Sequence, residues 1–262
     1  MYQWNPNDYE KNSSAQERAA EATLSRLDFG GNEDILDIGC GDGKVTMKMA
    51  SRVPHGQVLG IDNSQDMVDF CRKRYPSSQY PNLRFELGDA LNLNFNQEFD
   101  LVTSFACLHW VKDHLAVLRG VRRSLKPGGK MLIQCGGKST DDDLASLVRY
   151  AIRSPMWSKY LREFSNPYGT YGPDEYNVWL DQAGLKGIKV ELTIKDLIIH
   201  GKAEFEGFIR TTWLPITERI PDEMRHRFVS EISNMHLERR PPDDGLVRIG
   251  MAVLEVEAMR ID

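Results

Sequence analysis

The sequence predicts an α/β protein in which helices cover both faces of a doubly wound, largely parallel sheet. Two observations carry this prediction: short apolar runs alternate with amphipathic helical patterns, and they do so at the spacing of βαβ units. A third is a glycine-rich loop that follows the first predicted strand and opens the next helix. The chain has 262 residues, enough for one domain with a sizeable core, and we predict a single domain over 1–262.

The elements are predicted in chain order, beginning with a capped helix over 13–27. Seven apolar runs predict strands, at 34–39, 57–62, 83–87, 99–105, 130–135, 187–195 and 250–258. Further helices are predicted at 44–53, 64–74, 113–125, 141–163, 173–184, 203–213 and 221–237. Open α/β sheets bind ligands outside the carboxyl ends of their strands, where inserted helices form lids. We therefore expect a cofactor-binding core over about 30–136 and a substrate lid built from 1–28, 137–172 and 203–240.

Composition excludes several classes of partner. The net charge is -5 and the pI is near 5.8, with no long basic run, so a nucleic acid partner is not expected. No apolar stretch approaches the roughly 18 residues that span a bilayer, and the polar N-terminus is not a secretory signal. The four cysteines are far apart and form no zinc-binding cluster. We expect a cytoplasmic protein with reduced thiols, no metal and no membrane partner, as a monomer or homodimer.

The glycine loop, DIGCGDG at 37–43, indicates a ligand that approaches the backbone closely. Its G-x-G-x-G spacing differs from the G-x-G-x-x-G of dinucleotide-binding proteins, and it lacks the Lys-Ser/Thr of a P-loop. Asp37 before the glycines would repel a pyrophosphate, whereas it suits an ammonium or sulfonium group.

Two more acids stand at strand ends. Asp62 closes QVLGID, where a carboxylate can accept hydrogen bonds from both hydroxyls of a ribose. Asp89 closes LRFELGD, where it can accept from an adenine amino group, and Met67 can pack on the adenine face. Each acid also has a purely structural interpretation: Asp62 as a helix N-cap and Asp89 as a turn residue.

In combination, DIGCGDG, GIDNS, GDA, SFACLHW and LKPGG resemble the class I S-adenosylmethionine-dependent methyltransferases over residues 32–136. The resemblance implies a seven-stranded Rossmann-like sheet whose last strand is antiparallel. It also implies S-adenosylmethionine as cofactor, lying across the ends of strands one to four, and S-adenosylhomocysteine as product. The cofactor-binding residues that we expect are Tyr9, Asp37, Gly39, Cys40, Gly41, Asp62, Asn63, Met67, Asp89, Ala90 and Ser104. Among these, Asp62 and Asn63 would hold the ribose, Asp89 and Ala90 the adenine, and Ser104 would approach the methionine ammonium.

Segments outside this core resemble two narrower families. WNPNDYEKNSSAQERAAEATL and LHW are similar to trans-aconitate methyltransferase, and FACLHWVKDH and WSKYLREFSNPYG to insect juvenile hormone acid methyltransferase. Both families esterify a carboxylate of a small molecule, so a small acid is the expected substrate. A carboxylic acid with a pKa near 4 is ionised at neutral pH and needs alignment rather than a base.

The residues expected to hold this acceptor follow strand four or lie near the N-terminus. Trp110 and Gln16 would donate hydrogen bonds to the carboxylate without neutralising it. His109 would orient the acceptor, or act as a general base if the acceptor is a hydroxyl, phenol or amine. Further substrate residues are predicted at Arg18, Trp157, Tyr168, Arg210 and Trp213, although such residues often only pack in a core or face solvent. The alternatives are N-, O- or C-methylation of another small metabolite, esterification of a carboxymethyl group on tRNA, and a cofactor-binding subunit without activity.

Overall fold

The structure is a computed structural model that describes residues 4–139 and 141–262. One seven-stranded sheet organises it, in the order β3-β2-β1-β4-β5-β7-β6. The strands are β1 (Asp34–Ile38), β2 (Gln57–Asp62), β3 (Leu83–Leu87), β4 (Phe99–Phe105), β5 (Leu125–Gly136), β6 (Leu185–His200) and β7 (Leu246–Arg260). Strands β1 to β5 pair in parallel, and β7 pairs with β5 in antiparallel register from Lys130↔Met259 to Gly136↔Val253. The predicted fold class and the antiparallel last strand are confirmed.

The strand order reverses between β1 and β4, which are neighbours in the sheet. Chain connections after β1 and after β4 leave in opposite directions at such a switch point, so a crevice opens at the carboxyl ends of the two strands. Two predicted site segments therefore meet here: the glycine loop that follows β1, and residues 106–113 that follow β4.

The helices match the predicted pattern with four differences, one of which is a short helix at Leu214–Thr217 that was not predicted. They are α1 (Pro6–Asn12), α2 (Ser14–Leu24), α3 (Lys44–Arg52), α4 (Gln65–Arg74), α5 (His114–Ser124), α6 (Asp143–Arg153), α7 (Ser158–Leu161), α8 (Pro173–Ala183), α9 (Gly201–Thr212), α10 (Leu214–Thr217) and α11 (Asp222–Arg239). The predicted helix 13–27 is preceded by a separate helix, α1. The predicted helix 141–163 is interrupted after Arg153, because Ser154 precedes a proline and is extended at φ -61° and ψ 129°. A short 3-10 turn, Leu108–Trp110, was not predicted.

The chain divides into two compact units. The sheet unit contains 16–138, 168–193 and 253–262, and its two apolar clusters lie on opposite faces of the sheet. Alternate residues of β1 contribute to the two clusters: Leu36 and Ile38 belong to one and Ile35 belongs to the other. A central strand buried on both sides explains the continuous apolar run of β1.

The helical unit comprises the described residues of 1–15, 139–167 and 194–252. It has its own apolar core, in which Trp157, Phe205 and Phe228 are fully buried. The predicted division into a core and a lid, and the single-domain behaviour of 1–262, stay predictions. No helix within the described parts of the chain combines the length and apolar composition needed to cross a membrane.

Candidate active site

The glycine loop is shaped by three residues in the left-handed region, with φ of 74° at Gly39, 54° at Gly41 and 77° at Gly43. The amides of Gly39 and Cys40 both donate to the Ile61 carbonyl, at 2.8 and 3.0 Å, so the loop is tied to the end of β2. A Cβ at Gly39 would lie 2.2 Å from Cys107 Sγ. Both the backbone conformation and the close approach of Cys107 therefore require glycine at Gly39.

Asp37 is fully buried at the base of this loop. Thr46 Oγ1 donates to its Oδ2 at 2.7 Å, and Thr103 Oγ1 donates to its Oδ1 at 3.0 Å. Burial raises the pKa of Asp37 to about 6, although the two hydroxyls oppose the shift. At neutral pH the carboxylate is thus charged at a cost in free energy, and a nearby cation would reduce that cost.

Asp62 ends β2 with its carboxylate against the glycine loop. Its Oδ2 accepts the Gly41 amide at 3.0 Å and its Oδ1 accepts the Ser64 amide at 2.9 Å. Burial raises the pKa of Asp62 despite these hydrogen bonds. The N-cap of α4 is Ser64, whose Oγ accepts from Met67, so the N-cap interpretation of Asp62 is wrong. The Asn63 amide also interacts with this carboxylate, which keeps acceptor capacity for at least one ribose hydroxyl.

Asp89 is exposed and shapes the turn after β3. Its Oδ1 accepts the Leu91 amide at 2.9 Å, and its Oδ2 accepts Asn92 Nδ2 at 3.1 Å. The turn interpretation of Asp89 is therefore correct, and its predicted contact with adenine stays a prediction. Nearby, Met67 is buried, Ala90 is half-buried and Asn63 is exposed.

Beyond β4 the backbone turns sharply. Ser104 Oγ donates to the Ile38 carbonyl at 2.9 Å and joins the ends of β4 and β1, while its oxygen can still accept from an ammonium group. Ala106 follows with φ 51°, a left-handed conformation that costs an alanine roughly 1 kcal/mol. Strain of this kind persists where surrounding contacts impose it. The conformation of Ala106 leads the chain into the 3-10 turn that contains His109 and Trp110.

His109 is held as a neutral ring. The Gly136 amide donates to its Nδ1 at 3.3 Å. Burial, and secondarily the neighbouring His114, lower the pKa of His109 to about 4. A neutral imidazole whose Nδ1 accepts a hydrogen bond carries its proton on Nε2. His109 thus presents an N–H donor rather than a basic lone pair.

Trp110 belongs to a cluster of three rings. Its centroid is 4.9 Å from that of Tyr168 in an edge-to-face arrangement and 5.7 Å from that of His109. His109 and Tyr168 are 5.9 Å apart. The structure therefore brings together three of the predicted substrate and catalytic residues.

Gln16 and Arg18 lie on α2 of the sheet unit. Gln16 Oε1 is buried and has no hydrogen-bond partner, whereas Arg18 is exposed. A buried amide oxygen without a partner costs about 1–3 kcal/mol, which a bound ligand would recover. This unsatisfied atom is the kind of signal that sequence cannot reveal.

Four predicted residues lie in the helical unit. Tyr9 packs edge-on against Trp4, and Trp157 packs edge-on against Phe228 with its indole N–H unpartnered. Arg210 forms a bidentate ion pair with Asp8, at 2.9 Å from Nε and 2.7 Å from Nη2. Trp213 is buried. Their roles toward cofactor or substrate stay predictions.

The donors and acceptors of the sheet unit fit S-adenosylmethionine. The half-buried carboxylate of Asp62 keeps acceptor capacity for a ribose hydroxyl, and the buried charge of Asp37 lies beside a glycine loop that a ligand can approach closely. Among residues 4–139 and 141–262, no three His, Cys, Asp or Glu side chains are placed to hold a metal ion.

Comparison with known proteins finds similar chains among methyltransferases. Residues 35–129 match the model of a methyltransferase domain family. A putative methyltransferase, 235L, of Invertebrate iridescent virus 6 is 27% identical over 231 residues, covering 88% of this chain and 84% of the relative. Trans-aconitate 2-methyltransferase of Methylobacterium nodulans is 27% identical over 265 residues, covering 99% of both chains.

The fold also has solved counterparts. Phosphoethanolamine N-methyltransferase 2 of Haemonchus contortus, solved with phosphomonomethylethanolamine and S-adenosylhomocysteine, superposes with a TM-score of 0.64. It is 19% identical, and the match covers 98% of this chain and 57% of that one. The methyltransferase domain over residues 35–129, the relatives that align along most of the chain and the shared fold together support a class I S-adenosylmethionine-dependent methyltransferase that resembles the trans-aconitate methyltransferases.

Proposed function

We propose that this methyltransferase esterifies the carboxylate of a small organic acid. The observation that carries the proposal is the hydrogen bond from the Gly136 amide to His109 Nδ1, at 3.3 Å. It occupies the one lone pair that a neutral His109 ring has for accepting a proton. Acceptors that must lose a proton, such as phenols, alcohols and ammonium groups, find no base at His109.

A carboxylate needs no general base. S-adenosylmethionine supplies an electrophilic methyl group, and a carboxylic acid with a pKa near 4 is already an anion at neutral pH. The protein must then hold the anion in line without quenching its charge. His109 Nε2–H, the Trp110 indole N–H and the Gln16 amide are neutral donors of the required kind.

The unpartnered amide of Gln16 supports the same proposal. Rotation of the amide by half a turn exchanges its oxygen and nitrogen, so the buried position can present an N–H to an anion. The relative from Methylobacterium nodulans is named for its activity on trans-aconitate, a small acid. The four free cysteines support a cytoplasmic location for the reaction.

The test combines a substrate panel with a pH profile. We expect methyl ester formation from one or more small carboxylic acids and no transfer to matched amides, phenols or amines. With saturating cofactor, we expect kcat/KM for the acid to be flat from about pH 7 to 8.5, because His109 and the acid titrate near pH 4 and Asp37 near pH 6. His109→Asn is the matched variant, since its amide oxygen can still accept from Gly136 while the Nε2–H is lost. A rising limb centred near neutrality, with transfer to phenols or amines and none to acids, would exclude the proposal.

A further inference from the structure

A buried histidine that the sequence did not single out holds the turn that carries His109 and Trp110. His114 begins α5 and is buried. Its Nε2 lies 2.8 Å from the Leu108 carbonyl and 3.1 Å from the Val111 carbonyl. Both are acceptors only, so Nε2 carries the proton. The ring is therefore hydrogen-bonded to the backbone at both ends of the turn that contains His109 and Trp110.

Tyr176 fixes this arrangement from α8. Its hydroxyl is 2.7 Å from His114 Nδ1, which must accept because the ring is neutral with Nε2 protonated. Burial lowers the pKa of His114, which keeps the ring uncharged. Tyr176 is itself fully buried, so the hydroxyl and the ring nitrogen have little access to water as a substitute partner.

The chain just before α8 holds the same turn from another side. The Gly169 amide donates to the His109 carbonyl at 2.9 Å, and the Tyr171 hydroxyl donates to the Lys112 carbonyl at 2.7 Å. A Cβ at Gly169 would lie 1.9 Å from the Val111 carbonyl oxygen, so the two backbones are in close contact. We call residues 168–171 the clasp.

The clasp and His114 together bind four carbonyls around two candidate acceptor-binding side chains. These are the carbonyls of Leu108, His109, Val111 and Lys112. A three-residue 3-10 turn has few hydrogen bonds of its own, and its side chains need an external support to stay in one orientation. The Tyr168 ring, at one end of the clasp, lies directly against Trp110.

We propose that Tyr176 and His114, acting with the clasp, are positioning residues that fix the Trp110 indole for the methyl acceptor. This proposal rests on the proposed function of Trp110 and His109 in acceptor binding. Tyr176 selects the protonated nitrogen of His114, His114 orients the turn, and the turn orients the indole. The contacts made by Gly169, Tyr171 and Tyr176 join segments about 60 residues apart, so this support of the turn is absent until the sheet unit has folded.

The experiment follows the indole directly. The chain has five tryptophans, and a spectrum of ¹⁵N-labelled protein with S-adenosylhomocysteine added would show their indole N–H signals. Trp110→Phe assigns the Trp110 signal by its loss. In Tyr176→Phe we expect that signal to shift or broaden while those of Trp157 and Trp213 stay in place. We expect kcat on the acid substrate to fall roughly five- to tenfold, with cofactor Kd within about twofold of the unmutated protein.

Two further variants keep the result interpretable. Tyr150→Phe is the matched control, because its hydroxyl bonds Glu231 in the helical unit, and it should move neither the Trp110 signal nor kcat. Tyr171→Phe is the second test variant, since Tyr171 loses only a solvent-accessible hydroxyl and the chain will fold even if Tyr176→Phe does not.

The outcomes separate this inference from the proposed function. An unmoved Trp110 signal in both Tyr176→Phe and Tyr171→Phe overturns the positioning role, whatever the activity. A displaced signal with unchanged turnover of the acid supports the positioning role and removes Trp110 from acceptor binding. A displaced signal with reduced kcat supports both.

Discussion

Replacing Asp37 with asparagine should stabilise the protein at high pH and weaken its hold on the cofactor. The pKa of Asp37 is raised from 3.8 to about 6 by burial. The folded state therefore binds this proton more tightly than the unfolded chain. Stability that is fully present below pH 3.8 is lost as the pH rises through about 6.

The size of the effect follows from linkage. A shift of about two pKa units corresponds to about 3 kcal/mol of lost stability at pH 8, and to only about 0.5 kcal/mol at pH 4. Asparagine does not titrate, so any fixed cost of the amide is the same at both pH values. The difference in unfolding free energy between Asp37→Asn and the unmutated protein should therefore grow by about 2.5 kcal/mol between pH 4 and pH 8.

Urea unfolding at several pH values measures this quantity, because titrating groups that do not interact with Asp37 cancel between the two proteins. Thr46→Val gives an internal check: it removes the donor 2.7 Å from Asp37 Oδ2, which should raise the pKa further and steepen the loss of stability with pH. A difference that does not change between pH 4 and pH 8 would refute the idea of a destabilising buried charge at Asp37.

Asp37→Asn should also weaken cofactor binding. If the buried charge serves a cationic part of the cofactor, Asp37→Asn should bind S-adenosylmethionine more weakly although it is more stable at pH 8. Calorimetric titration of both proteins would show it. Equal affinity would leave Asp37 with a purely structural role.

Three further predictions concern the rest of the site. Asp62→Ala should weaken cofactor binding by about 2–4 kcal/mol, the value of two charge-assisted hydrogen bonds, and an unchanged calorimetric Kd would contradict the ribose assignment. Gly39→Ala should destabilise the fold by roughly 1–3 kcal/mol in thermal unfolding, because φ is 74° and the new Cβ would lie 2.2 Å from Cys107 Sγ and 2.4 Å from Cys107 Cβ; Cys107→Ala should recover little of this loss, since alanine keeps the Cβ. Trp110→Phe should reduce kcat/KM for the acid by roughly 10- to 150-fold at unchanged cofactor affinity, and adding Gln16→Leu should be less than additive if both donors serve one carboxylate.

Most of the sheet could be predicted from the sequence because its signals are local. A buried parallel strand is a continuous apolar run, and glycines with positive φ mark the turn that follows β1. Acids at successive strand ends fall on one edge of the sheet, so the position of Asp37 and Asp62 follows from chain order alone. The interruption after Arg153 is likewise local, since Pro155 is visible in the sequence.

The hydrogen-bond partners and the protonation of the site's side chains depend on the tertiary structure. Nothing near His109 in sequence indicates that Gly136 occupies its Nδ1, or that burial lowers its pKa to about 4. The sequence suggested Asp62 as the N-cap of α4, whereas the structure gives that role to Ser64 and holds Asp62 against the glycine loop.

His114 is the clearest case of a residue whose role depends on tertiary contacts and not on its local sequence. Its sequence neighbours suggest only a helix start, yet it selects the geometry of the turn through Tyr176, 62 residues further along the chain. Apolar periodicity specifies which residues are buried, because burial is a property of each element's own face. Hydrogen-bond partners and desolvation depend on which elements meet, so the chemistry of His109, His114 and Asp37 exists only in the folded sheet unit.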